Sequence, residues 1–259
     1  MNTTSNRSPH LTIAVAGGTG TVGAYVVDYA RAKGHDVVVL SRSTGVDLIE
    51  GTGLARALRG VDVVIDVSST QTQKADESRN FFGTVTRHLL AVEKELGVSH
   101  HVALSIVGVD DAPEGYYAGK VLQEELVMAG EVPWTILRAT QFHEFAEQIF
   151  GAVRLGPLVV VPKMVSRPVA AREVAARLVE LAESGPSGRT RDLRGPRSES
   201  MTSMVRGYAR AAGLRGSVVA LPLPGVLGKA MRDGTLTGSD SAESATETFD
   251  DWLAGIRPS

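Results

Sequence analysis

Residues 11 to 17 read LTIAVAG, an apolar run unbroken by charge, which is the pattern of a strand buried on both faces. TVGAYVVDYARAKG follows at helical spacing and stops at Gly34, a residue suited to ending a helix. The alternation then repeats. DVVVLSR (36–42) reads as a strand, GLARALRG (53–60) as a short helix and VDVVIDVSS (61–69) as a strand. A long helix is predicted from about Gln73 to Leu96, with Phe82, Val85, Leu89, Val92 and Leu96 on one stripe. HHVALSIVG (100–108), YYAGKVLQEELVMAG (116–130) and WTILRAT (134–140) read strand, helix, strand. Strands and helices alternating over short links predict an α/β fold with a doubly wound parallel sheet.

Beyond Thr140 the period loosens. QFHEFAEQIFGAV (141–153), AAREVAARLVELAES (170–184) and SESMTSMVRGYARAAG (198–213) read as helices. PLVVVP (157–162) is a short strand, RTRDLRGP (189–196) a segment able to pair, and SVVALPLPG (217–225) a candidate final strand. GTLTGSDSAESATE (234–247) has the composition of a mobile linker. The closing helix puts Phe249, Trp252 and Leu253 on one face. The expected organisation is a leader over 1–10, a nucleotide-binding core over 11–150, and a part over 151–259 that completes the sheet and caps the substrate side.

Length and composition add little that is unusual. The chain has 259 residues, 43% of them hydrophobic and 22% charged, which is ordinary for a globular protein. A net charge of -2 argues against a nucleic-acid or anionic-membrane partner. No apolar run approaches the ~18 residues of a membrane helix, and the polar N-terminus lacks a signal-peptide core; a cytoplasmic protein is expected. There are no cysteines, which excludes thiolate chemistry, and the histidines show no ligand spacing, so no metal is expected.

Chemistry enters at AVAGGTGTVG. Gly18, Gly20 and Gly23 satisfy G-x-G-x-x-G, and Gly17, Gly20 and Gly23 satisfy G-x-x-G-x-x-G. With Thr19, Thr21 and Val22 they form a tight turn from strand to helix. Glycines there let backbone approach a pyrophosphate, and the helix start offers free N–H groups. The second strand closes with Ser41 and Arg42 where an NAD site usually carries an acid. Arg42 suits a 2′-phosphate, so NADP is expected over NAD. Asp47 is open to two roles, adenine contact or capping a helix. Val67 and Ser68, ending the third strand, would flank the adenosine by position.

The segments GGTGTVG, LSRS, GVDVVIDVSS, LSIVGVD, YYAGK and WTILRATQFHEF together resemble the short-chain dehydrogenase/reductase superfamily, in its atypical, NmrA-like NAD(P)-binding branch. The resemblance covers most of residues 11 to 150. It implies a Rossmann fold with the nucleotide across the strand ends and a cleft roofed by the C-terminal part. It also implies a Tyr-x-x-x-Lys pair, which Tyr116 and Lys120 match. On a helix these two share a face. A phenol near pKa 10 needs about 4 kcal/mol of differential stabilisation to work near neutrality, and an adjacent ammonium is the expected source. Lys120 would also hold the nicotinamide ribose, and Ser105 would donate to the substrate oxygen. Tyr117 is the rival phenol.

Phe142, His143 and Phe145 are expected on the opposite lip of the cleft, the phenylalanines offering apolar surface and His143 either a substrate hydrogen bond or a helix cap. The reading is an NADP-dependent reductase of a small hydrophobic carbonyl or quinone-like compound, monomeric or homodimeric. The alternative is a nucleotide-binding sensor without turnover, since the branch contains both. A third option, a sugar-nucleotide epimerase holding NAD, is disfavoured by Arg42 and the small C-terminal part.

Overall fold

A computed structural model describes residues 10–152 and 154–257; the expected leader, apart from His10, lies outside the described residues. The first half alternates as the pattern predicts. β1 (Thr12–Ala16) leads to α1 (Thr21–Ala32), β2 (Asp36–Leu40), α2 (Leu54–Ala57), β3 (Val63–Asp66) and α3 (Ala75–Leu96). β4 (His100–Ile106), α4 (Tyr116–Ala129) and β5 (Trp134–Ala139) follow.

The second half contains α5 (Phe145–Ala152), β6 (Arg154–Leu155), β7 (Leu158–Pro162), β8 (Val165–Ser166) and α6 (Ala171–Ser184). It continues through β9 (Gly188–Arg189), β10 (Leu193–Arg194), β11 (Glu199–Ser200), α7 (Met201–Ala211) and β12 (Ser217–Leu221). It closes with α8 (Gly225–Asp233), β13 (Glu243–Ser244) and α9 (Phe249–Ala254).

The main sheet runs β13-β10-β5-β4-β3-β1-β2, with β9 also on β5, and its ladders are parallel. From β1 the chain steps out to β2 and then crosses back to β3 on the other side of β1. That reversal opens a crevice at the strand ends between β1 and β3, where doubly wound sheets take their ligands. One face carries α1 and α6, with Val22, Val26, Ala175 and Leu178 packed on Ile13, Val15 and Val102. The other carries α2 and α3, with Leu54, Val85 and Leu89 packed on Ala14 and Val64. Phe82, Val85 and Leu89 of the predicted stripe are fully buried, each contributing about 1.5–3 kcal/mol of transfer free energy. Leu96 lies at the helix end and is exposed.

A second apolar cluster lies largely in the C-terminal part, joining Phe150, Val159, Val161, Met204, Val205 and Tyr208. Here β12 does not end the main sheet. It pairs in parallel with β7 in a separate three-stranded sheet. The last strand of the main sheet is β13, which pairs with β10. It lies inside the segment expected to be a mobile linker, and α8 precedes that segment. The linker expectation is corrected: a polar composition hid a two-residue strand fixed by backbone bonds such as Glu243 N to Asp192 O. No helix among the described residues is long and apolar enough to cross a membrane.

Candidate nucleotide-binding and proton-transfer site

The turn between β1 and α1 is as tight as its glycines suggest. Gly17 has φ of 78°, and a Cβ on it would lie 2.9 Å from Ser68 Cα. A Cβ on Gly23 would lie 2.1 Å from Gly17 O, and one on Gly18 would press on Val39. Gly20 N donates to Gly17 O, and the first helical bond runs from Ala24 N to Gly20 O, so the amides of Thr21, Val22 and Gly23 precede any intrahelical acceptor. Thr19, Gly20 and Thr21 are exposed, and the first turn of α1 carries no acid. These residues fit a dinucleotide: a pyrophosphate would meet bare amides and the positive end of the helix dipole.

Around the turn stand the other expected contacts. Ser41 follows β2 and caps a short 3-10 turn, sharing its hydroxyl with Ser43 and Thr44. Arg42, next to it, is exposed. Asp47 does not cap α2, whose N-cap is Gly53; it holds the turn before that helix. Its Oδ1 accepts from Ile49 N and Glu50 N. The backbone bonds from Glu50 and Ile49 hold its carboxyl below the usual range, and nearby Arg42 acts the same way. Val67 packs partly against the core. Ser68 lies directly beneath Gly17, its N–H on Asp66 Oδ1 and its Oγ buried without a partner among the described residues.

Tyr116 opens α4 and is half-buried. Its carbonyl accepts from Ser78 Oγ at 2.7 Å, and its ring meets Phe82 edge-on at 5.4 Å. Its hydroxyl is 2.9 Å from Ser69 Oγ, an exposed group just past β3. Burial pushes the phenol above its ordinary value; the Ser69 hydrogen bond offsets this in part, and Asp66 pushes the same way as burial. In this state the Tyr116 phenol is neutral near pH 7.

Lys120 makes no hydrogen bond to the phenol among the described residues. It is 4% exposed, and its Nζ donates to Leu104 O at 2.6 Å and to Gln123 Oε1. Gln123 in turn donates from Nε2 to Asp66 Oδ2 at 2.7 Å. The cation lies 4.6 Å from the Phe82 ring centroid. Burial holds its pKa down to about 8, against the pull of Asp66 and Glu124. The physical reason is that a buried ammonium must find acceptors, and a carbonyl and an amide oxygen lie within reach.

Ser105 stands at the end of β4, as expected. It is 2% exposed, with an Oγ that has no partner among the described residues. Strand alternation puts it on the same face as Ala103, the face that packs on Val127 of α4. Tyr117 is buried in the second apolar cluster, and burial, then Tyr116, push its phenol up. Phe142 and Phe145 are half-buried, the first bridging to Val169. His143 sits in the joint with the C-terminal helix rather than on the lip. It is fully buried, its Nε2 is 3.3 Å from Glu247 O, and its ring rests on Phe249 and Trp252. Burial holds its pKa down to about 4.

Sequence reasoning passed over Ser69, Asp66, Gln123 and Glu124. Ser69 adjoins Ser68 in DVSS, and nothing in the spacing singles it out. Glu124 takes Arg138 through two bonds, Nε at 2.8 Å and Nη2 at 2.7 Å, and also takes Arg189. Asp110 closes this cluster on Arg138 at 2.7 Å. Among the described residues no cluster of three or more His, Asp or Glu has the geometry to hold a metal ion.

Comparison with known proteins decides the family. A model described as NAD(P)H-binding matches residues 17–184, well over half of the chain. The chain belongs to this NAD(P)H-binding family of atypical short-chain dehydrogenases/reductases. Among curated members, the (4-alkanoyl-5-oxo-2,5-dihydrofuran-3-yl)methyl phosphate reductase of Streptomyces griseus is 30% identical over 219 residues, 78% of this chain and 74% of that protein. Solved structures share the fold. An NAD-dependent NDP-hexosamine 5,6-dehydratase of tunicamycin biosynthesis has a TM-score of 0.73 at 16% identity, over 95% of this chain and 96% of its own. An NADPH-dependent quinone oxidoreductase from Escherichia coli has a TM-score of 0.59 at 18% identity, over 93% and 98%. The family match supports a nicotinamide dinucleotide as the ligand, and the turn between β1 and α1 has the geometry that fits one.

Proposed function

We propose that the protein is an NADP-dependent reductase that delivers hydride and a proton to a small hydrophobic carbonyl or quinone-like compound. The observation that carries this reading is the Tyr116 hydroxyl. It is neutral, it belongs to a Tyr-x-x-x-Lys pair, and it is bonded to an exposed serine at the end of β3, the strand beside the glycine turn. The bound nicotinamide supplies the hydride. Tyr116 gives its proton to the oxygen that becomes an alcohol or enol. Phe142, Phe145 and Ile106, all half-buried, offer the apolar surface for the substrate. Arg42 supports NADP over NAD, being an exposed guanidinium at the end of β2 where a 2′-phosphate would lie. The Streptomyces griseus relative, named a reductase, supports the direction of the reaction.

The test is NADPH oxidation against a panel of aldehydes, ketones and quinones. Turnover by the wild type and its loss in Tyr116→Phe, with NADP affinity kept, is the expected result. Full turnover in Tyr116→Phe would remove the phenol from the reaction.

One observation favours a second reading, a nucleotide sensor without turnover: Lys120 is bonded inward to Leu104 O and Gln123 rather than to the phenol. Steady NADPH oxidation with any member of the panel would exclude it.

A further inference from the structure

Tyr116 must regain a proton after each turnover. Among the described residues neither Lys120 nor Ser105 is hydrogen-bonded to the phenol. Both Lys120 hydrogen bonds run inward, to Leu104 O and to the Gln123–Asp66 pair. Ser105 is buried, with its hydroxyl unengaged among the described residues. Ser69 alone among the hydroxyl side chains of this site is both bonded to the phenol, at 2.9 Å, and exposed to solvent.

We propose that Ser69 is the hydroxyl that works with Tyr116, relaying a proton from water to the phenol. The inference rests on the reductase reading. As the carbonyl carbon receives hydride from the reduced nicotinamide, its C–O π bond opens and the oxygen takes the Tyr116 proton. The phenolate takes the Ser69 hydroxyl proton, and Ser69 takes one from water. The balance is one carbonyl, one reduced nicotinamide and one proton consumed, and one alcohol and one oxidised nicotinamide released. A hydroxyl suits this role because it donates and accepts at the same atom. A serine at a strand end can also turn between phenol and solvent with little else moving.

The test compares Ser69→Ala, Ser69→Thr and Ser105→Ala in the full chain, with two readouts. The first is kcat/KM for NADPH with 9,10-phenanthrenequinone as the carbonyl probe. Ser69→Ala is expected to lose ~10- to 100-fold, the worth of one hydrogen bond to a developing charge. Ser69→Thr keeps the hydroxyl and recovers most of the rate, and Ser105→Ala loses less than Ser69→Ala. The second readout needs no turnover: the ¹³Cζ resonance of Tyr116 in ligand-free, tyrosine-labelled protein, assigned with Tyr116→Phe. It is expected to move in Ser69→Ala, to return in Ser69→Thr and to stay in Ser105→Ala.

A larger loss in Ser105→Ala than in Ser69→Ala, or a Tyr116 resonance indifferent to Ser69→Ala, would overturn the proposal. Should the wild type turn over no carbonyl at all, the reductase reading fails by itself, while the resonance still decides whether Ser69 holds the phenol.

Discussion

Gly119 backs onto Ser78 so closely that a Cβ on the glycine would lie 2.3 Å from Ser78 Oγ and 2.6 Å from Phe82 Cδ2. The contact brings α4 against α3 at the turn that presents Tyr116, and Ser78 Oγ completes it by donating to Tyr116 O. Gly119→Ala is therefore expected to destabilise the fold by about 1–3 kcal/mol through overpacking. It should also displace the phenol. A urea midpoint equal to the wild type would show that the two helices part without cost.

Glu124 is the sole carboxylate hydrogen-bonded to Arg138 through two guanidinium nitrogens among the described residues, and Arg138 is 7% exposed. Removing the acid leaves a buried cation with Asp110 as its remaining salt-bridge partner. Glu124→Ala is expected to cost about 3–5 kcal/mol, read as a fall in the urea midpoint at unchanged m-value. A loss below ~1 kcal/mol would mean that Asp110 and water hold the guanidinium as well as Glu124 does.

His143 sets a pH dependence. Burial holds its folded pKa down to about 4, against an ordinary 6.5. The unfolded chain therefore takes the proton first, and the stability that His143 contributes is full above pH 6.5 and lost as pH falls toward 4. His100, held down to about 4 by burial and then by His101, adds a loss in the same window. His143→Phe keeps the aromatic contacts with Phe249 and Trp252 and removes the titration. Urea midpoints measured from pH 7.5 to 4.5 should fall less steeply in that variant, and an unchanged slope would assign the acid sensitivity elsewhere.

Arg42 is expected to discriminate the two nicotinamide nucleotides. Arg42→Ala should weaken NADP by ~10- to 100-fold, the worth of hydrogen bonds to a charged phosphate, and leave NAD within about two-fold. Calorimetric titration of both nucleotides measures this directly. Equal losses for both would mean that Arg42 does not touch the 2′-phosphate.

The main sheet was legible because its strands are long enough to show a period. LTIAVAG and HHVALSIVG carry no acidic, lysine or arginine residue and are mostly apolar, and each is followed by a segment of helical spacing. β13 and β10 are two residues long, so they carry no period, and the serines and glycines around Glu243 read as linker. α8 escaped for a related reason: Pro222, Pro224 and Gly225 drew its start into a strand reading. In the site, the glycine turn was legible because its function constrains backbone, which sequence encodes locally. The directions of Lys120 and Ser105 were not. Where Lys120 points depends on Gln123 and, through it, on Asp66, far away in the chain. The side of the sheet that Ser105 faces depends on which helix covers β4.

Since β13 seals the outer rim of β10, a ribosome must reach Ser244, some fifty residues past β10, before the dinucleotide platform attains its full width. Until Glu243 emerges, β10 offers an unzipped border to any neighbouring chain, a hazard during synthesis that the finished molecule no longer shows.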